Sequence, residues 1–548
     1  MRSFPPAVKR RGRPVAAAFA RLLALPTVKS SWERAGLLAG AALLLVAAWA
    51  SPRAIPYNMD EFVHYHPLGC ATAELSRELP IIRDGCGYHD LALPFTTTPL
   101  PLRSYAYIGS LPSVPFYPFW RAFRDPVAVR VQGAAFFLLC GWLALRLLRV
   151  RPAALVTASL VFPVFLASFV VDEGPVALSA ILLLSALLAA RRALESGTGR
   201  GAVAWSALAG FALFLGLWVK LVFGWWLPAF ALFALDAALR RAPTLGEAVR
   251  RWRGAVVAGL LALLAPTLVL LASVDREGRP YAAAFRWSGV SAEPEAVESV
   301  AVRLWGYVTD ASLLAPRNIL LPASPVDVLP ALLSLGLLAF GLARGAGRRR
   351  EVAGWALAGA LTFALVAASG HSRWPHHFAF PLLFLVMALA VALDALGRRG
   401  RLATATLVLV FWGSLASRLP AASVPPESAR EKDQLLALVR QEGLDRTTLQ
   451  VHSSWGTYYI AQLFGHPRRM IVYLRAAPDD PLQLERFREV ARSHGRGVLL
   501  ISARRWERLH TPEVERVLGP PLRSWSFGSW WAVEYDRFLR SEEQSPRP

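Results

Sequence analysis

The sequence predicts a multi-span α-helical membrane protein with about eleven crossing helices and a small C-terminal extracytoplasmic α/β domain. Three observations carry this. Of 548 residues, 55% are hydrophobic and only 18% are charged, with a mean hydropathy of +0.38, more apolar than a soluble chain of this length. The apolar residues gather in stretches of about 16 to 20, close to what a helix needs to cross hydrocarbon. The charges between stretches are mostly arginines, and they recur at alternate ends of successive stretches, as topology signals do.

Taken in order, residues 1–34 form a basic tail carrying Lys9, Arg10, Arg11, Arg13, Arg21, Lys29 and Arg34. It is basic for too long to be a cleavable signal peptide, so it reads as a cytoplasmic tail, with "PVAAAFARLLAL" able to lie along the membrane surface. Residues 35–420 form the membrane domain, with spans near 35–51, 128–147, 153–171, 176–190, 202–219, 221–239, 254–273, 328–343, 352–369, 379–396 and 402–419. The blocks Arg149/Arg151, Arg191/Arg192, Arg240/Arg241 with Arg250–Arg253, Arg348–Arg350 and Arg398/Arg399/Arg401 all fall on the side of the basic tail. The N-terminus is therefore placed inside and the C-terminus outside.

The outer side then receives two long loops, 52–127 and 274–327, and the short turns "VVDEGP" and "GHSRWPHH". It also receives residues 421–548. There "SAREKDQLLALVRQEGL" reads as an amphipathic helix, "TTLQVHS", "RMIVYLR" and "GVLLIS" as short buried strands, and "SWSFGSWWAVEYD" as a closing hairpin. Strands alternating with helices give a partly parallel sheet. A glycine pattern at Gly197, Gly199 and Ala202 lies between two spans with no strand before it, so it is no nucleotide loop.

The net charge of +22 raises the question of nucleic acid, but the positives are distributed as a topology signal rather than as one basic face. Three cysteines are present. Cys140 lies inside a span as a small apolar residue; Cys70 and Cys86 share the first outer loop, where a disulfide is one possibility and two free thiols the other.

The chemistry concentrates on the outer side. Asp60 and Glu61 follow the first span by only a few residues, at the depth of lipid phosphates, and Asp172 and Glu173 close the third span at the same depth. Either pair alone could be an ordinary polar loop start; together they offer a general base. Lys220 sits in "LGLWVKLVFGWW" at the tip of a helical hairpin, where a charge needs an anionic partner or must snorkel to the interface. Arg373, His376 and His377 crowd the mouth of the tenth span, and a guanidinium fork suits phosphate. His64 and His66, beside Asp60 and Glu61, offer ligands to a divalent metal, though an H-x-H pair alone is weak and both read better as loop residues.

These segments resemble the GT-C superfamily of integral membrane glycosyltransferases, and in style its protein O-mannosyltransferase and aminoarabinose transferase branch. "MDEF" is similar to that family's acidic motif in the first outer loop. "VVDEGPVALSAILLLSALLAARR" resembles its second acidic turn, "FLGLWVKLVFGWWLPAFAL" its hairpin with a basic tip, and "SRWPHHFAFPLLFLVMALAVAL" its late "R…HY…P" segment. "PHHF" lacks the family's Tyr after His, and "DEGP" departs from its Asp-Pro-like turn. The resemblance implies a polyprenyl-phosphate sugar as donor, an acceptor glycan, lipid or protein on the outer face, and an inner (plasma) membrane location. It implies Asp60 as base with Glu61 beside it and Asp172 in the same catalytic set. Glu173 would shape a substrate site, and Lys220, Arg373, His376 and His377 would contact the donor phosphate. No D-x-D triplet occurs, so a nucleotide-sugar site of that kind has no support.

Two other readings share the sequence. A transporter or flippase of lipid-linked sugars would place ionisable groups near mid-membrane. Here Asp236 and Asp394 lie near the basic ends of their spans, where they can meet arginines. A glycan polymerase or ligase would use the same outer site.

Overall fold

The computed structural model describes residues 31–53, 57, 61–72, 91–94, 99–100, 102–105, 107–171, 175–242, 244–275, 278–283, 324–345, 347–369, 375–418, 428–444, 448–453, 455–464, 471–473, 481–493, 497–502, 511–528 and 530–535. Among them, ten helices are long and apolar enough to cross a membrane, and a bent pair of helices makes eleven if the two count as one span. This is a multi-pass membrane protein.

The chain opens with α1 (Ser31–Ala50), and the first loop carries α2 (His66–Thr72), the short strands β1 (Leu91–Ala92), β2 (Pro99–Leu100), β3 (Arg103–Tyr105) and β4 (Ile108–Gly109), and α3 (Ser113–Phe123). Membrane helix α4 (Val127–Leu148) follows. The third span is not one helix but two, α5 (Pro152–Leu160) and α6 (Pro163–Val170), bent by 96°. Pro163 is the cause. It has no N–H for the helical ladder, and its ring forces Phe162 out of the helical region, to φ −114° and ψ 103°.

Next come α7 (Val176–Glu195), α8 (Arg200–Val219), a 3₁₀ turn at Leu221–Trp226 running into α9 (Leu227–Leu239), and α10 (Leu245–Ala272), which leads into β5 (Val274–Asp275). The bundle closes with α11 (Leu329–Arg344), α12 (Arg349–Ala368), α13 (Ala379–Ala395) and α14 (Arg398–Arg418). Helix α13 is apolar on every side, and from Ala379 to Leu393 nearly every residue is buried, so it forms the axis of the bundle. Small residues set the approach of α8 to α10. A Cβ on Gly210 of α8 would stand 2.0 Å from the Gly259 carbonyl of α10, so glycine permits the approach.

The basic blocks gather at one end of the bundle. Arg348 donates to Asp394 at 3.2 Å and to the Leu148 carbonyl at 2.6 Å, while the Arg151 N–H donates to Asp394 at 3.0 Å. Asp236 meets Arg240 and Arg350. Both span-end aspartates thus pair with arginines. Cys140 is buried, its thiol donating to the Ala177 carbonyl at 3.5 Å; Cys86 lies outside the described residues, and with it the question of its pairing with Cys70.

At the other end lies the C-terminal unit: α15 (Ser428–Gln441), β6 (Thr448–His452), α16 (Trp455–Phe464), β7 (Ile471–Tyr473), α17 (Pro481–Ser493), β8 (Gly497–Ser502), α18 (Pro512–Leu518), β9 (Pro521–Phe527) and β10 (Trp530–Tyr535). Its sheet runs β7-β6-β8-β10-β9, with β6 parallel to β7 and β8, and β10 antiparallel to β8 and β9. The α/β pattern with a closing hairpin stands as expected. Strands β6 and β8 are buried along their whole length, as strands covered on both faces must be.

This unit shares a core with the first loop. Tyr57, Phe62, Tyr65 and Phe116 pack with Leu436, Tyr458, Tyr459 and Leu463. His66 Nδ1–H donates to Gln462 Oε1 at 2.6 Å, and Trp120 Nε1 donates to the Leu463 carbonyl at 2.5 Å. His66 therefore serves as a joint between the loop and the C-terminal unit.

One buried group in the sheet makes a pH prediction. His452 is wholly buried, its Nδ1 2.9 Å from Thr457 Oγ1 and its Nε2 3.2 Å from Gln450 Oε1. Burial pushes its pKa down from 6.5 to about 3. The unfolded chain thus binds a proton that the folded unit refuses, so stability is full above pH 6.5 and falls as pH drops from 6.5 toward 3. The slope is at most about 1.4 kcal/mol per pH unit. Thermal unfolding of the full chain in detergent should show a lower midpoint at pH 5 than at pH 7.5, and His452→Gln should flatten that difference. Equal pH dependence in the two proteins would rule His452 out as its source.

Candidate active site

The segment after α1 breaks the lipid-facing pattern with a buried ion pair. Glu61 and Arg130, the fourth residue of α4, are both fully buried. Arg130 Nε and Nη2 donate to Glu61 Oε2 and Oε1, each at 3.0 Å, in the fork geometry that matches a carboxylate. The third arm, Nη1, donates to Ser51 Oγ at 3.2 Å, and Ser51 donates to the Ala48 carbonyl in the last turn of α1. The guanidinium carbon lies 4.6 Å from the centre of the Tyr57 ring. Burial, outweighing the pull of Arg130, holds the Tyr57 phenol above its ordinary pKa, so it stays neutral. Arg130 thus fixes the end of α1, the start of the first loop and the start of α4 to one another.

The remaining described candidates lie around this pair. Helix α6 ends against α4 at Gly133, one turn from Arg130. A Cβ there would stand 2.6 Å from the carbonyl oxygens of both Phe169 and Val170. The next residue, Val171, is buried. Helix α6 also packs against the 3₁₀ turn Pro375–Phe378, which carries His376 and His377. Those two rings are 4.2 Å apart, and His377 meets Trp225 edge-on at 5.3 Å. The neighbouring Trp226 Nε1 donates to the Phe380 carbonyl at 3.0 Å, so the Leu221–Trp226 turn is fastened to the start of α13.

Lys220 begins that same turn. Its backbone is extended and bridges Ile108 of β4, and the Leu221 N–H donates to the Tyr107 carbonyl at 3.0 Å. Its Nζ lies 5.4 Å from the centre of the Tyr107 ring, and the residue is only 1% exposed. It does not snorkel outward; it is enclosed by protein under the β3–β4 hairpin. Strand β3 in turn packs on Val63–Tyr65, directly after Glu61. The contacts close a circuit at one end of the bundle: Glu61, Arg130, α6, Pro375–Phe378, Trp225, Lys220, β4, β3 and back.

Four candidates, Asp60, Asp172, Glu173 and Arg373, lie outside the described residues. Among the described residues no group of three or more His, Cys, Asp or Glu converges as metal ligands, and His64 and His66 are buried in the core shared with the C-terminal unit.

Sequence reasoning missed Arg130. Its signal was available: a lone arginine in "PVAVRVQGAAFF" opens an apolar span on the side away from the basic blocks, where it needs a partner. It also missed Arg103, which donates to Asp275 at 3.1 Å while Arg279 takes the same carboxylate at 2.9 Å. This cluster ties the first loop to the segment after α10, where β1 pairs with β5.

The fold is similar to that of ArnT from Cupriavidus metallidurans in the apo state, with a TM-score of 0.54 and 12% identity, over 92% of this chain and 99% of that one. At that identity the likeness speaks for fold alone. The oligosaccharyltransferase of Archaeoglobus fulgidus, crystallised with Zn and sulfate, scores 0.43 at 16% identity over 85% of this chain and 67% of its own, too low to establish a common fold. The sequence matches no protein-family model and no curated protein. The chain thus shares the overall fold of ArnT.

Proposed function

We propose that this protein is a glycosyltransferase that moves a sugar from a polyprenyl-phosphate donor to a glycan, lipid or protein acceptor at the loop-bearing face of a bacterial inner membrane. The observation that carries the reading is the circuit of contacts. Glu61, Lys220, His376 and His377 come from distant parts of the chain, and the packed elements that carry them follow one another around one end of the bundle. The basic blocks at the other end support a cytoplasmic N-terminus and an extracytoplasmic site.

In this reading Asp60 takes the proton from an acceptor hydroxyl or amine as that atom attacks the anomeric carbon. The bond from that carbon to the phosphate oxygen breaks, and the polyprenyl phosphate leaves with the electron pair. Lys220, Arg373, His376 and His377 stabilise the charge that develops on it. Glu61, clamped by Arg130, anchors the start of the loop, and Asp172 and Glu173 shape the acceptor or donor site. Lys220 suits its role because a cation enclosed by protein acts through a lower dielectric than one in water.

The test is transfer by the purified full chain in liposomes holding a radiolabelled polyprenyl-phosphate sugar and a membrane extract as acceptor source. Label should move to the acceptor with release of polyprenyl phosphate. Label that crosses the bilayer still attached to its carrier would instead make the protein a transporter.

A further inference from the structure

We propose that the basic face carries a built-in site for one anionic phospholipid, in a cleft of about 520 Å³ between α4, α7, α9 and α12. The cleft has two halves of opposite character. Its mouth is ringed by Arg191, Arg240, Arg241 and Arg350. Its body is apolar, formed by Leu187, Leu232, Phe233, Trp355 and Leu357. The mouth lies where α7 and α9 end and α12 begins, which is headgroup depth for helices of this length. A phosphate at the mouth with acyl chains along the body matches both halves; a soluble anion matches only one. Basic pockets of this kind between membrane helices select anionic headgroups.

The arginines are held in place with donors to spare. Asp236 is the clasp. It accepts from Arg240 at 2.6 Å on one oxygen and from Arg350 at 2.5 Å on the other, drawing α9 and α12 together at the mouth. Arg191 reaches the Leu147 carbonyl at 3.0 Å, tying α7 to α4, and Arg241 caps the Ala237 carbonyl. A guanidinium offers five N–H donors, and Asp236 takes two from Arg240 and one from Arg350, so both retain donors for a phosphate. The second acid at the mouth, Glu351, is taken by Arg348 at 2.9 Å. Four guanidiniums thus face one shared and one neutralised carboxylate, which leaves the mouth positive. Arg350 and Arg240 remain 68% and 46% exposed, open to a headgroup arriving from the bilayer. Nothing in the proposed transfer reaction uses this face.

The experiment is retention of phosphatidylglycerol by the full chain, read by native mass spectrometry from detergent and by thermal unfolding. Phosphatidylcholine and inorganic phosphate serve as comparison ligands. Wild type should retain one phosphatidylglycerol and gain thermal stability from it, with little response to the other two. Arg240→Gln with Arg350→Gln should weaken retention at least tenfold. Should that pair misfold, Arg241→Gln, whose bonds are to its own helix and to Arg251, should weaken it severalfold. Arg399→Gln, outside the cleft, should leave it intact. The site is disproved by equal retention in wild type and the cleft variants, by an equal loss in Arg399→Gln, or by a response to inorganic phosphate as large as that to the lipid.

Discussion

Asp60→Asn should cut sugar transfer by roughly 10²–10⁴-fold while leaving the protein as stable as wild type. Asparagine keeps the size and polarity of the side chain but cannot accept the acceptor's proton. The discriminating comparison is Glu61→Gln. Both oxygens of Glu61 are engaged by Arg130, so this carboxylate already has its partner and serves to hold the segment. Its amide would still accept one hydrogen bond but would leave a buried guanidinium without its counter-charge. Glu61→Gln should therefore lower the thermal midpoint and reduce activity mainly through loss of folded protein. Asp60→Asn should reduce activity at constant midpoint. If Asp60→Asn retains full transfer, the base lies elsewhere, and Asp172, the other acid of the proposed catalytic set, is the next residue to test in the same way.

The sequence carried the membrane helices plainly, because a crossing helix must be apolar along its length and its ends carry the charge bias. It carried the C-terminal α/β pattern for a similar reason: short buried strands separated by amphipathic helices leave a local trace. What it obscured were features set by distance. The break between α5 and α6 has a local cause, Pro163, but an apolar window averages over a proline that supplies no charge. Arg130 hid for the opposite reason, because one charge near a span end looks like a boundary. Only the pairing with Glu61, 69 positions away, shows that it is interior. The core shared by Phe62, Tyr65, Tyr458 and Leu463 joins stretches that read as a loop and a separate domain. Of the candidate site, the sequence offered Glu61 as a carboxylate but did not show the Arg130 fork that holds it.

That clamp carries the largest expected stability effect. Arg130→Met or Glu61→Leu alone should destabilise the protein by about 3–5 kcal/mol, because each leaves a buried charge without the partner of its fork. The cost falls on three elements at once, since Arg130 also holds Ser51 at the end of α1 and lies over Tyr57. The double variant Glu61→Leu with Arg130→Met should recover much of the loss, since an apolar pair of similar volume carries no desolvation penalty. Thermal unfolding of all four proteins in detergent forms a double-mutant cycle whose coupling measures the pair. Single losses that simply add in the double variant would mean that each residue acts alone and the pair is no clamp. The double variant also separates folding from function. If Glu61 serves only to anchor, a refolded apolar pair should restore transfer along with stability. If the charged clamp also sets the position of Asp60, stability should return while transfer stays low, and that split is the outcome expected from a fork geometry that an apolar contact cannot reproduce.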